Sequence, residues 1–304
     1  MSSLRKLTLA LAITGLLSTP LQAADTGGGA PLQILASLPI TYGLGQLLVK
    51  DSNIALERAA AANLPGSRQS AYFSGRGASA LHQLALNADA VIGLRSVWSD
   101  DPLYPMARRS NIRIVEVDAA RPVDGSLPGI ALQPGNHPDG LNSQPWLASN
   151  NMGRMADVIA ADLVRLAPSA KGQIEANLAS LKQRLLKLSA DSEARLAGAD
   201  NLSVVSLSDR LDYLIGGLNL ERVEVHHKGD EPWTPEALKA LSQTLEDNDV
   251  ALVLDHRPAS AALQAAVTEG GSELVVVSAD GADPVAELQG NIDAIVKVLT
   301  TTTD

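Results

Sequence analysis

Asp255, His256 and Arg257 place a carboxylate, an imidazole and a guanidinium at consecutive positions. They follow the apolar run Val250 to Leu254, which reads as a strand. Ligands in open α/β sheets gather at the carboxyl ends of strands, so this tripeptide is a candidate binding cluster. Its plainer role is a loop that opens the next helix. His226 and His227 are adjacent, and in an extended segment neighbouring side chains point to opposite faces. They therefore do not converge on one ion. His82 falls on a helical stretch and reads as a structural or surface group. Ser206-Leu207-Ser208-Asp209 offers hydroxyls, but no histidine is placed in sequence to complete a triad. No Gly-x-Ser-x-Gly elbow, no HExxH and no P-loop occurs. The chemistry is that of a binding protein rather than an enzyme, and no cofactor is expected.

The hydropathy pattern supplies the scaffold these residues need. Strands read at Leu32–Ala36, Ile54–Leu56, Ala88–Gly93 and Ile112–Val115, and again at Leu202–Leu207, Leu220–Val225, Val250–Leu254 and Leu274–Val277. Helical spacing separates them at Ile40–Val49, Gly77–Asn87, Pro102–Arg109, Asp209–Gly216, Pro235–Glu246, Pro258–Glu269 and Pro284–Leu299. Thr234 is the expected N-cap of the helix that Pro235 opens. This alternation predicts an α/β fold of two βα lobes with mainly parallel sheets. Between the lobes, Asn150–Leu166 carries Met152, Met155, Ile159, Leu163 and Leu166 on one face. After Pro168, the stretch Ser169–Leu196 has a seam of Ile174, Leu178, Leu181, Leu185 and Leu188. It predicts one helix of about 28 residues, about 42 Å long at 1.5 Å per residue, joining the lobes. The seam is too short to argue a coiled coil. Arg121 to Ser143, rich in Pro, Gly and Asn, reads as a surface loop. The expected division is a leader at 1–23, an N-terminal lobe at 24–168, a connecting helix at 169–198 and a C-terminal lobe at 199–304.

The leader has its own logic. Arg5 and Lys6 precede the uncharged run Leu7 to Leu17, Pro20 breaks it, and Ala23 offers a small residue for cleavage. That is the pattern of a secretory signal peptide; a membrane span needs roughly 20 apolar residues, about twice this run. With no cysteine in the chain, there is no thiol for N-terminal acylation and no disulfide. The expectation is a soluble periplasmic protein. Its formal charge of −10 becomes two units more negative without Arg5 and Lys6. That excludes nucleic acid and anionic membrane surfaces as natural partners.

Particular residues on this layout resemble a known family. Leu64-Pro65-Gly66 followed by Tyr72, Leu86 to Gly93 followed by Trp98, and Trp146-Leu147…Asn150…Met155-Ala156…Ile159-Ala160…Leu163 stand in the order of its motifs. Pro232 after Glu231, and Asn291…Val296…Leu299, fit as well. The chain resembles the periplasmic solute-binding proteins of zinc, manganese and iron ABC importers (the TroA-like, cluster A-I family) over nearly its whole mature length. The resemblance implies inner-membrane ABC permease subunits as partners and a cleft ligand site. It also implies a bare divalent metal held by three histidines and a carboxylate, a donor set suited to zinc, manganese or iron.

The donors do not carry over. Ser70, Gln144 and Ser208 stand where the histidines are expected; the carboxylate is expected near Ala279, with Asp280 adjacent. The family's His-rich loop is reduced to His137. Hydroxyl and amide groups are poor transition-metal ligands. The cleft is therefore expected to be lined by Ser70, Tyr72, Arg95, Trp98, Gln144, Trp146, Ser208, Tyr213, Asp255, His256, Arg257 and Asp280. Arg68, Arg76 and Trp233 add further cations and a further flat ring. Guanidinium groups with aromatic faces suit an anionic, partly planar ligand, and a metal chelate such as a ferric siderophore fits. Two alternatives stand beside this: a bare-metal binder using Asp255, His256 and Asp280 with one of His226 or His227, and an accessory protein that pairs with a second periplasmic binding protein.

Overall fold

The computed structural model describes residues 31–122, 127–130, 132, 144–225 and 232–301. The predicted leader, His137, the His226–His227 pair and Glu231 lie outside the described residues.

Two four-stranded sheets, every pair parallel, form the framework. The first holds β1 (Leu32–Ala36), β2 (Ile54–Arg58), β3 (Ala90–Gly93) and β4 (Val115–Asp118) in the order β2-β1-β3-β4. The second repeats that order with β5 (Ser203–Ser206), β6 (Glu221–Val223), β7 (Leu252–Asp255) and β8 (Glu273–Val276). Helices α1 (Pro39–Val49), α2 (Gly66–Ser74), α3 (Ala78–Asn87) and α4 (Leu103–Ser110) intervene in the first half. Helices α5 (Ser149–Leu166) and α6 (Lys171–Leu196) join the halves, followed by α7 (Asp212–Gly217), α8 (Pro235–Asp247), α9 (Ala261–Glu269) and α10 (Pro284–Thr300). Thr234 caps α8 as expected, its hydroxyl accepting the Ala237 N–H.

Three elements differ from the sequence expectation. The fourth strand lies three residues further on, at Val115–Asp118 rather than Ile112–Val115. Ile112 is 78% exposed in a turn that Asn111 ties down by donating to the carbonyls of Ala85 and Ala88. Helix α2 was not anticipated: among its nine residues only Gln69 and Phe73 are buried, so it has no apolar period to read. Helix α9 begins at Ala261 rather than Pro258 because Ser260 caps it, accepting from the Leu263 N–H.

Alternation along the strands divides the interior. Ile34, Ala36, Ala90 and Ile92 from the first sheet, and Val204, Leu252 and Leu254 from the second, join a single buried cluster. Between them stand Met152, Met155, Ile159 and Leu163 of α5, Ile174, Leu181, Leu185 and Leu188 of α6, and Ile292, Ile295 and Val296 of α10. The opposite faces, Leu35 with Val91 and Val205 with Val253, pack under α2–α4 and under α8–α9 as separate clusters. The connecting helix is thus a shared wall of one core. At 26 residues it is about 39 Å long. The described residues form one compact unit.

The lobes also meet directly. A Cβ added at Gly43 in α1 would stand 2.7 Å from Pro284 Cδ and 3.0 Å from the Ala282 carbonyl, so only glycine permits this approach. Beside it, Asp283 caps α10 by accepting from Val285 (2.9 Å) and Ala286 (3.0 Å), and receives Arg184 of α6 at 2.8 Å. Asp283→Ala should cost about 1–2 kcal/mol, chiefly the lost cap; the half-exposed ion pair adds under about 1 kcal/mol. Thermal unfolding of the variant, with Asp283→Asn retaining most of the stability, checks this.

Candidate functional site

In each sheet the chain runs to one side of the first strand and then to the other. The switch points lie between β1 and β3 and between β5 and β7, and crevices at such points bind ligands. Loops from both carboxyl edges converge. Gly43, in the second turn of α1, lies against Ala282 and Pro284, and the single turn Pro145–Leu147 packs against α7.

On the C-terminal lobe, Ser208 and Asp255 sit at adjoining strand ends, since Ser206 pairs with Leu254 in the ladder. Ser208 is buried, and its hydroxyl accepts from the Arg210 N–H. Asp255, 3% exposed, accepts from the backbone N–H of His256 (2.7 Å) and Arg257 (3.3 Å). Its Oδ1 also lies 3.2 Å from His256 Nδ1 and 3.5 Å from Arg257 Nε. Burial alone would push this carboxyl up. The His256 side chain, Arg257 and the backbone N–H donors outweigh it and hold Asp255 below the usual carboxylate range. Asp255 thereby sets the turn that presents His256 and Arg257, both part-exposed. Asp280 is exposed on the next loop, which wraps around Glu287 through the N–H groups of Asp280 (3.1 Å) and Gly281 (2.9 Å). Asn291 fixes the root of that loop by exchanging hydrogen bonds with the backbone of Ser278.

On the N-terminal lobe, Ser70 and Tyr72 project from α2. Ser70 is exposed; Tyr72 is half-buried, with Phe73 beside it and the Arg76 guanidinium 5.5 Å above its ring. The loop after β3 is pinned by buried Asp101, which accepts from Leu94 (2.8 Å) and Leu103 (3.1 Å). Burial pushes the Asp101 carboxyl up despite those donors. Arg95 on that loop pairs with Glu116 at 3.3 Å and lines a cavity of about 340 Å³ with Ser96, Asp118 and Arg121. Its charge is therefore directed along the β3–β4 edge. Gln144, half-buried, precedes the Pro145–Leu147 turn.

Three aromatic residues expected to offer flat faces to a ligand do not do so. Trp98, Trp146 and Tyr213 are only 6–7% exposed. Trp98 and Trp146 fill the shared core, and the Trp146 Nε1 donor is buried with no acceptor among the described residues. An apolar ring gains more from burial than from a solvent-facing position, and sequence pattern does not separate the two. Trp233 is half-buried against the core of the second sheet. His82 is a surface group, with Nδ1 2.8 Å from the Ser110 hydroxyl.

The metal expectation divides. Asp255 and His256 meet, but Asp280 does not complete a set with them. Among the described residues, no three His, Cys, Asp or Glu side chains gather into a group able to hold a metal ion. Sequence reading also passed over Arg58, Ser37 and Gln69, which lie at the carboxyl edge of β1 and β2. Only the position of Arg58 at the end of an alternating run could have drawn attention to it.

Known proteins agree with this architecture. A zinc-bound ZnuA deletion mutant is 20% identical, with a TM-score of 0.66 over 90% of this chain and 99% of that one. A mutant of FpvC from Pseudomonas aeruginosa is 22% identical, with a TM-score of 0.70 over 89% and 100%. FpvC in complex with Ni2+ is 23% identical, with a TM-score of 0.64 over 88% and 97%. At these identities the likeness is one of fold. Comparison with curated protein sequences gives no match. Among the described residues, no helix is long and apolar enough to cross a membrane. The profile of the family described as zinc-uptake complex component A, periplasmic, matches residues 88–302, and the chain belongs to that ZnuA family of metal-type solute-binding proteins, which bind and do not catalyse.

Proposed function

We propose that this protein is the exported periplasmic capture subunit of an ABC importer, and that its cargo is a metal chelate, such as a ferric siderophore, rather than a bare ion. The observation that supports the chelate is the chemistry at the family's ligand positions: Ser70, Gln144 and Ser208 present hydroxyl and amide groups. A chelate brings its own metal ligands and asks the protein only for hydrogen bonds, positive charge and shape. Gln144 and Ser70 from one lobe, with Ser208, His256 and Arg257 from the other, can supply these. The lobes close modestly, because one core and the α6 wall join them, and the outer surface meets the permease.

The bare-ion reading is favoured by the family's description and by the nickel held by FpvC. Calorimetric titration of untagged protein with catecholate and hydroxamate ferric siderophores, ZnCl2 and MnCl2 separates the two. The expected result is 1:1 binding of a ferric chelate below about 1 μM, equivalent to about −8 kcal/mol, and no saturable binding of zinc or manganese. Tight zinc binding without chelate binding reverses the assignment.

A further inference from the structure

Arg58 ends β2 with no anionic partner among the described residues. Its guanidinium carbon lies 4.9 Å from the centroid of the Tyr42 ring, and its Nε and Nη2 atoms are buried with no hydrogen-bond partner among the described residues. Buried polar groups in native proteins are almost always paired. Two unpaired donors on one cation, in a chain of net charge −10, call for an acceptor that arrives from outside. The residue as a whole is part-exposed, while these two nitrogens face inward.

Its neighbours share the deficit. Ala36 is the ladder partner of Arg58, and the next residue, Ser37, is 2% exposed with a hydroxyl that has no partner among the described residues. Ser37 leads into α1, whose first turn has no side-chain cap and no acidic residue. The N–H groups of Ile40 and Thr41 have no acceptor among the described residues. Gln69, fully buried, donates to the Ser37 carbonyl at 3.1 Å, and its Oε1 has no donor among the described residues. A guanidinium, a hydroxyl and an open helix N-terminus thus lie along one sheet edge, with a single amide oxygen beside the hydroxyl's backbone. Helix N-termini and guanidinium groups both favour oxyanions.

We propose that the β1–β2 edge is an oxyanion subsite, in which Arg58, Ser37 and the first turn of α1 take a carboxylate and Gln69 Oε1 accepts from a hydroxyl beside it. The carboxylate belongs either to a metal-loaded chelate or to a free organic acid. As a subsite for a chelate it rests on the function proposed above; as an oxyanion site it does not.

Calorimetry of the full mature chain with citrate, ferric citrate and inorganic phosphate tests this in wild type, R58Q, R58K and S37A. Citrate should bind the wild type and raise its Tm. R58Q should bind at least about tenfold more weakly, equivalent to about 1.4 kcal/mol, and lose the Tm shift. R58K should also weaken binding, since a point charge does not replace a two-pronged donor; it carries the comparison if R58Q does not fold. Citrate bound without ferric citrate upholds the subsite and removes the chelate reading. A chelate bound equally by wild type and R58Q removes the subsite and leaves the chelate reading standing. Phosphate bound in preference to citrate, or no saturable citrate binding to the wild type, overturns the carboxylate assignment.

Discussion

Ile174→Ala should lower the unfolding free energy by about 2–5 kcal/mol, the range for deleting a buried branched side chain and leaving a cavity. Ile174 is fully buried near the start of α6, in the cluster that both sheets share. Its loss is therefore felt by the junction of the lobes and not by one lobe alone. For a chain of this size the melting temperature should fall on the order of 10 °C, and the transition should remain single. Leu186, on the same helix, is 72% exposed. Leu186→Ala should stay within about 0.5 kcal/mol of wild type. Calorimetric melting of the two variants checks both numbers. Two separated transitions in Ile174→Ala would mean that the lobes unfold independently and that α6 is a tether.

Asp255→Ala should cost about 2–3 kcal/mol, because it strips the acceptor from two backbone N–H groups and removes the carboxylate that lies against His256 and Arg257. It should also disorder the turn that presents His256 and Arg257, and so weaken ligand binding more than its stability cost alone implies. Asp255→Asn separates charge from shape, since an amide oxygen still accepts the turn N–H groups. The sign of the pH effect follows from the direction of the shift. The folded carboxyl lies below its ordinary value of 3.8. Its charge contributes stability that is fully present above that value and is lost as pH falls through the lower folded value. The stability gap between wild type and Asp255→Asn should therefore be constant near neutrality and shrink below about pH 4. Urea melts at pH 7, 5, 4 and 3 measure it. A gap that instead widened on acidification would mean that the carboxyl is raised and that burial dominates.

The sequence carried the fold wherever burial imposes a period. Of the predicted seam, Ile174, Leu181, Leu185 and Leu188 are buried and Leu178 is half-buried against the same core, and strands such as Ala90–Gly93 are buried throughout. It failed where burial is sparse. Helix α2 hides only Gln69 and Phe73, and in β4 the acidic residues Glu116 and Asp118 masked a strand that Ile112 appeared to offer. The site was half legible. Asp255, His256 and Arg257 stand at a strand end, where topology alone puts ligands. The aromatic residues misled because a tryptophan in a core and a tryptophan in a cleft have the same local sequence. Arg58 was missed because an unpaired charge is a statement about what is absent around it. Only the fold shows that its Nε and Nη2 lack acceptors among the described residues.

The central claim is that this member of a metal-binding family no longer holds a bare ion. Metal analysis of protein purified from its native compartment without a tag, with native mass spectrometry of the same sample, tests it most directly. The account predicts zinc and manganese well below one equivalent, with any iron accompanied by the mass of an organic chelator. One equivalent of zinc or manganese with no chelator mass, lost in His256→Ala, would contradict it.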